Sequence, residues 1–137
     1  MVSNPSITLD TAQGVVTAAR QKAQQIGVPM NIAVVDEGNN LMAFARMEGA
    51  WLGSIDISQG KAYTARAFDM PTQDLGPLAQ PGKPLYGITA SNEGHLVIFP
   101  GGIPLVENGS VVGAVGVSGG SVEQDQEVAA AGAAAVS

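Results

Sequence analysis

The sequence predicts an α+β fold in which an antiparallel sheet carries helices packed on it. Three observations predict it. Apolar residues recur at helical spacing in separate segments, short apolar segments are joined by turn residues into hairpins, and the order of these elements is αββα, a long loop, then βββα. Because hairpins place neighbouring strands antiparallel, we expect one antiparallel sheet.

The first third of the chain predicts one helix and one hairpin. Thr8 or Asp10 opens the helix, and Gly27 stands where a helix-ending glycine is expected. Residues 31–36 and 41–47 then form two strands around a turn rich in Gly and Asn. The apolar stripe of the helix consists of Ala12, Val15, Val16, Ala19, Ala23 and Ile26.

The middle of the chain predicts a second helix and a long irregular segment. The helix begins at Ser54 or Asp56 and runs to about Phe68, before a proline that ends it. Residues 69–94 carry four prolines and four glycines, so we expect irregular structure with one helical turn after Thr72. Loops of this length in compact domains tend to be functional.

The last third predicts three strands and a helix. Leu96–Phe99 and Ile103–Glu107 are the first two strands, and Asn108-Gly109 is a strong hairpin signal that joins the second to Ser110–Val117. A capping box of the S-x-x-Q type at Ser121 opens the last helix. These strands would complete a sheet of five.

Length and missing cysteines limit the sites that this chain can hold. Its 137 residues and 13.8 kDa suit a single domain, residues 1–137, which can bury a core without disulfides. The chain has no cysteine and one histidine, His95. These counts exclude thiolate metal sites, a catalytic cysteine and metal sites of two or three imidazoles, so we predict no metal site.

Charge is scarce and unevenly placed. The chain has 6 Lys and Arg against 12 Asp and Glu, a net charge of −6, whereas nucleic-acid binding needs clustered cations. No Lys or Arg follows Lys83, so the last third is nearly uncharged and rich in Gly, Ala and Val. Burial of this surface between subunits predicts a homo-oligomer of four or more subunits. A monomer with a neutral polar surface is the alternative.

The sequence contains no sign of a membrane partner. No apolar run reaches the roughly 18 residues of a membrane span. The N-terminus has neither a basic region nor an apolar signal core. We therefore expect a cytoplasmic location.

Four motifs in order carry a resemblance to a known family. They are IAVVDEGNNLMAFARMEGA, SIDISQGKAYTA, VIFPGGIPL and GSVVGAVGVSGGSVEQDQEVA. Together they resemble the GlcG/HbpS family of haem-binding-type proteins, whose domain also forms the C-terminal part of PduO-type corrinoid adenosyltransferases. The resemblance runs from about residue 7 to residue 133, almost the whole chain.

This resemblance implies a profilin-like fold, with a five-stranded antiparallel sheet between helices, and assembly into homo-oligomers. It also implies a link to haem, since some members bind haem or handle haem and iron. Some haem-binding members use a histidine on the first helix, and residues 8–26 contain none here. The residues alone name no cofactor.

Two cations are candidates for chemistry. Arg46 and Lys61 match the family's cations and are two of only six bases. A buried lysine can bind a carboxylate or act as a base. One hypothesis is therefore a small cofactor-independent enzyme that acts on an anionic catabolic metabolite through Lys61, Arg46 and Asp36 or Asp125. The structural alternative is an ion pair of Lys61 with Asp36, Glu48 or Asp125.

Two glycine-rich segments offer free backbone N–H groups. The Pro100–Pro104 loop predicts either a pocket wall or a tight connection between strands. The segment before the last helix suits a carboxylate or phosphate, or serves only as a helix cap. We predict a ligand site where both segments meet Arg46 and Lys61. Its candidates in these segments are Gly101, Gly102, Pro104, Ser118, Gly119, Gly120 and Ser121.

The single histidine completes the candidate set. His95 could ligate haem iron or transfer protons, and the alternative is a solvated bystander. Tyr63 and Tyr86 are the other candidate haem ligands. The favoured function is an oligomeric small-ligand-binding protein of the GlcG/HbpS type, related to haem or another tetrapyrrole, and the enzyme remains the alternative.

Overall fold

The structure is a computed structural model and describes residues 6–137. Its order of elements begins with a helix and a hairpin and ends with a hairpin and a helix. The elements are α1 Leu9–Ile26, β1 Asn31–Asp36, β2 Leu41–Arg46, α2 Gly53–Phe68, α3 Thr72–Leu78, β3 Gly102–Glu107, β4 Ser110–Ser118 and α4 Val122–Ala133, with short 3₁₀ turns at Ile88–Ala90 and Asn92–Gly94.

The strands form one sheet in the order β2-β1-β4-β3, and every neighbouring pair is antiparallel. The α+β class is thus confirmed. Within residues 6–137 the sheet has four strands, so the prediction of five strands was wrong.

The missing strand is Leu96–Phe99, whose backbone groups are bonded to helix side chains instead of a neighbouring strand. The Val97 N–H donates to Thr64 Oγ1 at 2.9 Å, and Thr72 Oγ1 donates to the Phe99 carbonyl at 2.6 Å. Gly76 permits a close approach as well, since a Cβ there would lie 2.5 Å from the Ile98 oxygen. An apolar run predicts a buried segment, but it does not say which groups take its hydrogen bonds.

The predicted helix ends agree with the structure at three points. The Thr8 side chain caps α1, Gly27 ends it in the left-handed conformation with φ 74°, and a full capping box at Ser121 opens α4. α2 begins slightly earlier than predicted, at Gly53. The single turn expected after Thr72 is the seven-residue helix α3.

The sheet separates two unlike layers. On one face α1 and α4 bury valine, leucine, isoleucine and methionine side chains, among them Val15, Met30 and Leu105. On the other face, Ala62 and Ala65 of α2 pack on Ala33, Val35 and Ala114 of the sheet in a thin layer.

The thin layer depends on glycines in β4. A Cβ on Gly116 would overlap the Ser58 carbonyl and the Ala62 amide of α2, so only glycine lets the helix backbone rest on the strand. This contact fixes the position of α2, whose two flanks carry the residues discussed below. Within the described part of the chain, no helix combines the length and the apolar character required to span a membrane.

Candidate functional site

Two concave sites lie in the described part of the chain, one along α2 and one that includes Trp51, just before α2 begins. The first, called the His95 cleft, has a volume of about 260 Å³. The second, called the Trp51 cleft, is wider, at about 450 Å³. The His95 cleft is lined by Val35, Asn39, Leu41, Asp56, Gln59, Gly60, Tyr63, Gly94, His95 and Val97. The Trp51 cleft is lined by Gly27, Val28, Pro29, Gly49, Trp51, Gly119, Gly120, Ser121 and Gln124.

The imidazole of His95 stands edge-on to an aromatic ring in its cleft. The Tyr63 and His95 ring centroids lie 5.3 Å apart at an interplanar angle of 78°. The Tyr63 hydroxyl lies 3.2 Å from Asn92 Oδ1, to which it donates. His95 is exposed, and no protein hydrogen bond to its imidazole is present in the described region. The ring nitrogens are therefore available to a ligand.

Segment 95–97 comes close enough to α2 to form this cleft because residue 60 is glycine. A Cβ on Gly60 would lie 2.6 Å from Val97 Cγ2 and 3.1 Å from the His95 carbonyl oxygen. On the opposite wall, Asn39 Nδ2 donates to the Tyr63 carbonyl at 3.2 Å and ties the β1–β2 turn to α2. Both walls are thus held by contacts with the same helix.

The lining combines apolar side chains with neutral polar ones and one acidic side chain, Asp56. Val35, Leu41 and Val97 supply the apolar surface, and Asp56 and Gln59 supply polar groups from α2. None of the lining residues, all within residues 6–137, is Lys or Arg. The cleft therefore suits a ligand held by apolar contact and by imidazole better than one held by ion pairs.

Lys61 lies inside the protein and is paired. Its Nζ is 2.8 Å from Asp125 Oδ2 and 2.9 Å from the Val117 carbonyl oxygen, and only 1% of the residue is exposed. Burial lowers the pKa of Lys61 below its ordinary value of 10.5, and the hydrogen bond and charge of Asp125 act in the opposite direction. Of the three structural partners considered for Lys61, the structure has Asp125.

The two glycine-rich segments meet around this ion pair. A Cβ on Gly101 would lie 2.9 Å from Lys61 Nζ and 2.6 Å from the Val117 oxygen, so the loop fits only without a side chain. The Gly120 N–H donates to Asp125 Oδ1 at 2.9 Å. The structure thus brings Lys61 and both segments together, and Asp125 occupies the position where we predicted a ligand anion.

The other predicted chemical residues lie elsewhere. Arg46 Nε and Nη2 donate to the Ala50 carbonyl at 3.1 and 2.9 Å, which closes the loop after β2. Asp36 Oδ1 accepts from the N–H groups of Gly38 and Asn40 within its own turn. Because Arg46 is paired with the start of β1 and Asp36 is its last residue, the two lie at opposite ends of that strand. The catalytic role of Lys61, Arg46, Asp36 and Asp125 stays a prediction.

The remaining predicted ligand residues divide between core and surface. Ser118 is buried and its hydroxyl donates to Ser54 Oγ at 3.1 Å, and Gly101 and Gly102 are buried as well. Pro104 lies on the edge strand β3, opposite Ala114. Only Gly119, Gly120 and Ser121 line a cleft, the one that contains Trp51.

Sequence reasoning missed several residues that shape the clefts. Trp51, 67% exposed, was not considered, although a single tryptophan in a glycine-rich turn is a recognisable signal for a binding surface. Asn39 and Gln59 lie within two of the family motifs and Asn92 within none, and only the packing against α2 reveals that these side chains border the His95 cleft or contact Tyr63.

Comparison with known proteins identifies the family. A family model described as haem degrading protein HbpS-like matches residues 7–134. An uncharacterized 15.0 kDa protein from the dhaT-dhaS intergenic region of Citrobacter freundii is 46% identical over 124 residues, which cover 90% of this chain and 87% of that protein.

Two solved structures are similar to this fold. The Klebsiella pneumoniae protein ORFY is 40% identical and superposes with a TM-score of 0.94, covering 98% of this chain and 93% of ORFY. The PduOC:heme complex is 36% identical, with a TM-score of 0.91, and covers 96% of this chain and 95% of PduOC. With four motifs in order, a matching fold and a family match over nearly its whole length, the chain belongs to the HbpS-like family.

Proposed function

We propose that this protein is an oligomeric small-ligand-binding protein that takes haem or a related tetrapyrrole in the His95 cleft, with the His95 imidazole as the ligand to iron. The observation that carries the proposal is the exposed His95 imidazole at a partly apolar cleft, edge-on to Tyr63. The relative PduOC forms a complex with heme, which supports the same class of ligand here.

The residues of the cleft fit such a ligand. Haem, when bound, would supply an iron that the His95 imidazole could coordinate. Val35, Leu41 and Val97 offer apolar contact to a flat macrocycle, and Tyr63 offers a ring edge. α1 contributes no histidine, so His95 is the imidazole that this chain can offer.

The size of the cleft sets how such a ligand would be held. Its volume of about 260 Å³ is below the roughly 300–1,000 Å³ of pockets that enclose drug-sized ligands. A tetrapyrrole would therefore enter by one edge and leave much of its surface outside the protomer. The lining lacks Lys and Arg within the described residues, so acidic substituents of the ligand would point to solvent.

Exposed apolar side chains support the oligomeric part of the proposal. Trp51 and Leu52 are 67% and 72% exposed, and Tyr86 and Phe99 are also largely exposed. Large aromatic side chains are common at the centres of protein interfaces. Light scattering should give a mass of four or more subunits, and a mass of 13.8 kDa at micromolar concentration would contradict it.

Haemin titration tests the proposed ligand. Wild type should give a saturable Soret band, and His95→Ala should weaken binding at least about tenfold, the equivalent of 1.4 kcal/mol. Tyr86→Phe is the matched control, because Tyr86 is exposed and does not line the cleft. Equal affinity of wild type, His95→Ala and Tyr63→Phe would show that the His95 cleft is not the site.

A further inference from the structure

The three residues immediately before His95 form one turn of left-handed backbone. Asn92, Glu93 and Gly94 have φ values of 52°, 55° and 75°. L-residues other than glycine enter this region mainly as single residues, because the left-handed conformation brings Cβ too close to the following carbonyl oxygen, and consecutive ones are rare. Glu93 is the unusual member, since Gly and Asn tolerate positive φ and glutamate gains nothing there.

The turn is held at both ends. The Gly94 N–H donates to the Ser91 carbonyl and the His95 N–H donates to the Asn92 carbonyl, both at 3.0 Å. From α2, the Tyr63 hydroxyl donates to Asn92 Oδ1 at 3.2 Å. Strained backbone persists only where its surroundings determine it, and it concentrates at functional sites.

The residues with positive φ directly precede His95 in the chain. Residues 80–95 are almost entirely exposed, so core packing does not require a left-handed turn there. The turn ends at His95, and the ring of His95 meets the ring of the same Tyr63 that holds Asn92. One tyrosine thus contacts both the turn and the imidazole.

We propose that the left-handed turn of residues 92–94, held by Tyr63 through Asn92, positions the His95 imidazole at the mouth of its cleft. Glu93 and Tyr63 are then positioning residues. The inference rests on the proposed function only for its purpose, which is the presentation of His95 to a ligand. The fixed orientation of the imidazole is a property of the free protein and can be measured without one.

Substitutions at Glu93 separate backbone conformation from side-chain chemistry. Glu93→Val places a β-branched residue where φ is positive and should release the turn. Glu93→Gly removes the same carboxylate but accepts the conformation and should keep the turn. Glu48→Val is the matched control, because Glu48 is an exposed glutamate whose φ is not positive.

The first readout is the Hε1 proton resonance of the free protein, which is unambiguous because the chain has one histidine. We expect Glu93→Val to move this resonance toward the value of an unstructured histidine, and Glu93→Gly and Glu48→Val to leave it in place. Tyr63→Phe, which keeps the ring and removes the hydroxyl, should move it by a smaller amount. An unmoved resonance in both Glu93→Val and Tyr63→Phe overturns the inference, and Tyr63→Phe decides alone if Glu93→Val does not fold.

The second readout, haemin affinity, separates this inference from the proposed function. Glu93→Val should weaken haemin binding about tenfold, with Glu93→Gly close to wild type. If the resonance moves and haemin affinity does not, the turn positions His95 but His95 is not the haem ligand. In that case the proposed function fails and the positioning stands.

Discussion

The two flanks of α2 carry polar groups in opposite conditions. On one flank, Lys61 is buried, and its ammonium group donates to Asp125 and to the Val117 carbonyl. On the other flank, His95 is exposed beside Tyr63 and a left-handed turn, with ring nitrogens free of protein partners in the described region. The comparison teaches that a buried cation, scarce in the sequence, can be a structural residue, whereas the side chain that is available to a ligand lies in a loop.

Removal of the buried cation should have the largest effect. Lys61→Met leaves the Asp125 carboxylate buried without its counter-charge, and removal of one partner from such a pair typically costs about 3–5 kcal/mol. Urea unfolding should therefore show that the free energy of unfolding of Lys61→Met is lower than that of wild type by about 3–5 kcal/mol. Small carboxylates should not raise the Tm of wild type through this site. A carboxylate-dependent rise in wild type that Lys61→Met abolishes would instead restore the ligand role of Lys61.

The glycines around the ion pair should show the next largest effect. Gly101→Ala combines φ 126° with a Cβ 2.6 Å from the Val117 oxygen, so we expect a loss of about 2–3 kcal/mol. Gly27→Ala, at φ 74° but with open space around its Cβ, should cost only about 1 kcal/mol. If thermal unfolding shows that Gly101→Ala and Gly27→Ala lose equal stability, the packing around Gly101 and Lys61 is loose.

The pH dependence of stability should reflect the lowered pKa of Lys61. The unfolded chain, with its lysine at the ordinary pKa of 10.5, binds more protons than the folded chain as the pH approaches that value. The free energy of unfolding should therefore rise with pH in the window just below 10.5. Lys61→Met should lose this rise and Lys22→Met, on the partly exposed Lys22–Glu127 pair, should retain it. A wild-type slope that matches that of Lys61→Met would contradict this pKa direction.

The smallest effect on stability is expected on the opposite flank. His95→Ala removes an exposed side chain, and surface substitutions of this kind usually stay within about 0.5 kcal/mol. Chemical denaturation should show no larger change, even though haemin binding falls. A loss above about 2 kcal/mol would mean that His95 is a structural residue like Lys61.

Local signals in the sequence predicted most of the fold. Thr8, Gly27, Asn108-Gly109 and Ser121 each act through contacts within a few residues, so their caps and turn could be identified without tertiary information. The prediction of a strand at Leu96–Phe99 was wrong for the opposite reason. Its hydrogen-bond partners, Thr64 and Thr72, lie more than 25 residues away in sequence and belong to helices.

The site was predicted only in part, and the reason is again the separation in sequence between the residues that contact each other. His95 and Lys61 were identifiable because each is rare in this composition. Their environments were not, because the pairing of Lys61 with Asp125 spans 64 residues and the Tyr63–Asn92 contact spans 29. The separation of Arg46 from Asp36 follows from strand register, which the hairpin sequence alone specifies only approximately.

The glycines of β4 have a consequence for anyone who wishes to re-engineer this scaffold. Because α2 touches the β4 backbone at Gly116 and packs on alanines, that layer contains few methylene groups that a designer could remove to open a new cavity, and no room to insert larger ones. The opposite layer, rich in Val, Leu and Met, offers volume that can be redistributed. Artificial pockets should therefore be cut beneath α1 and α4, with α2 left as the fixed reference of the design.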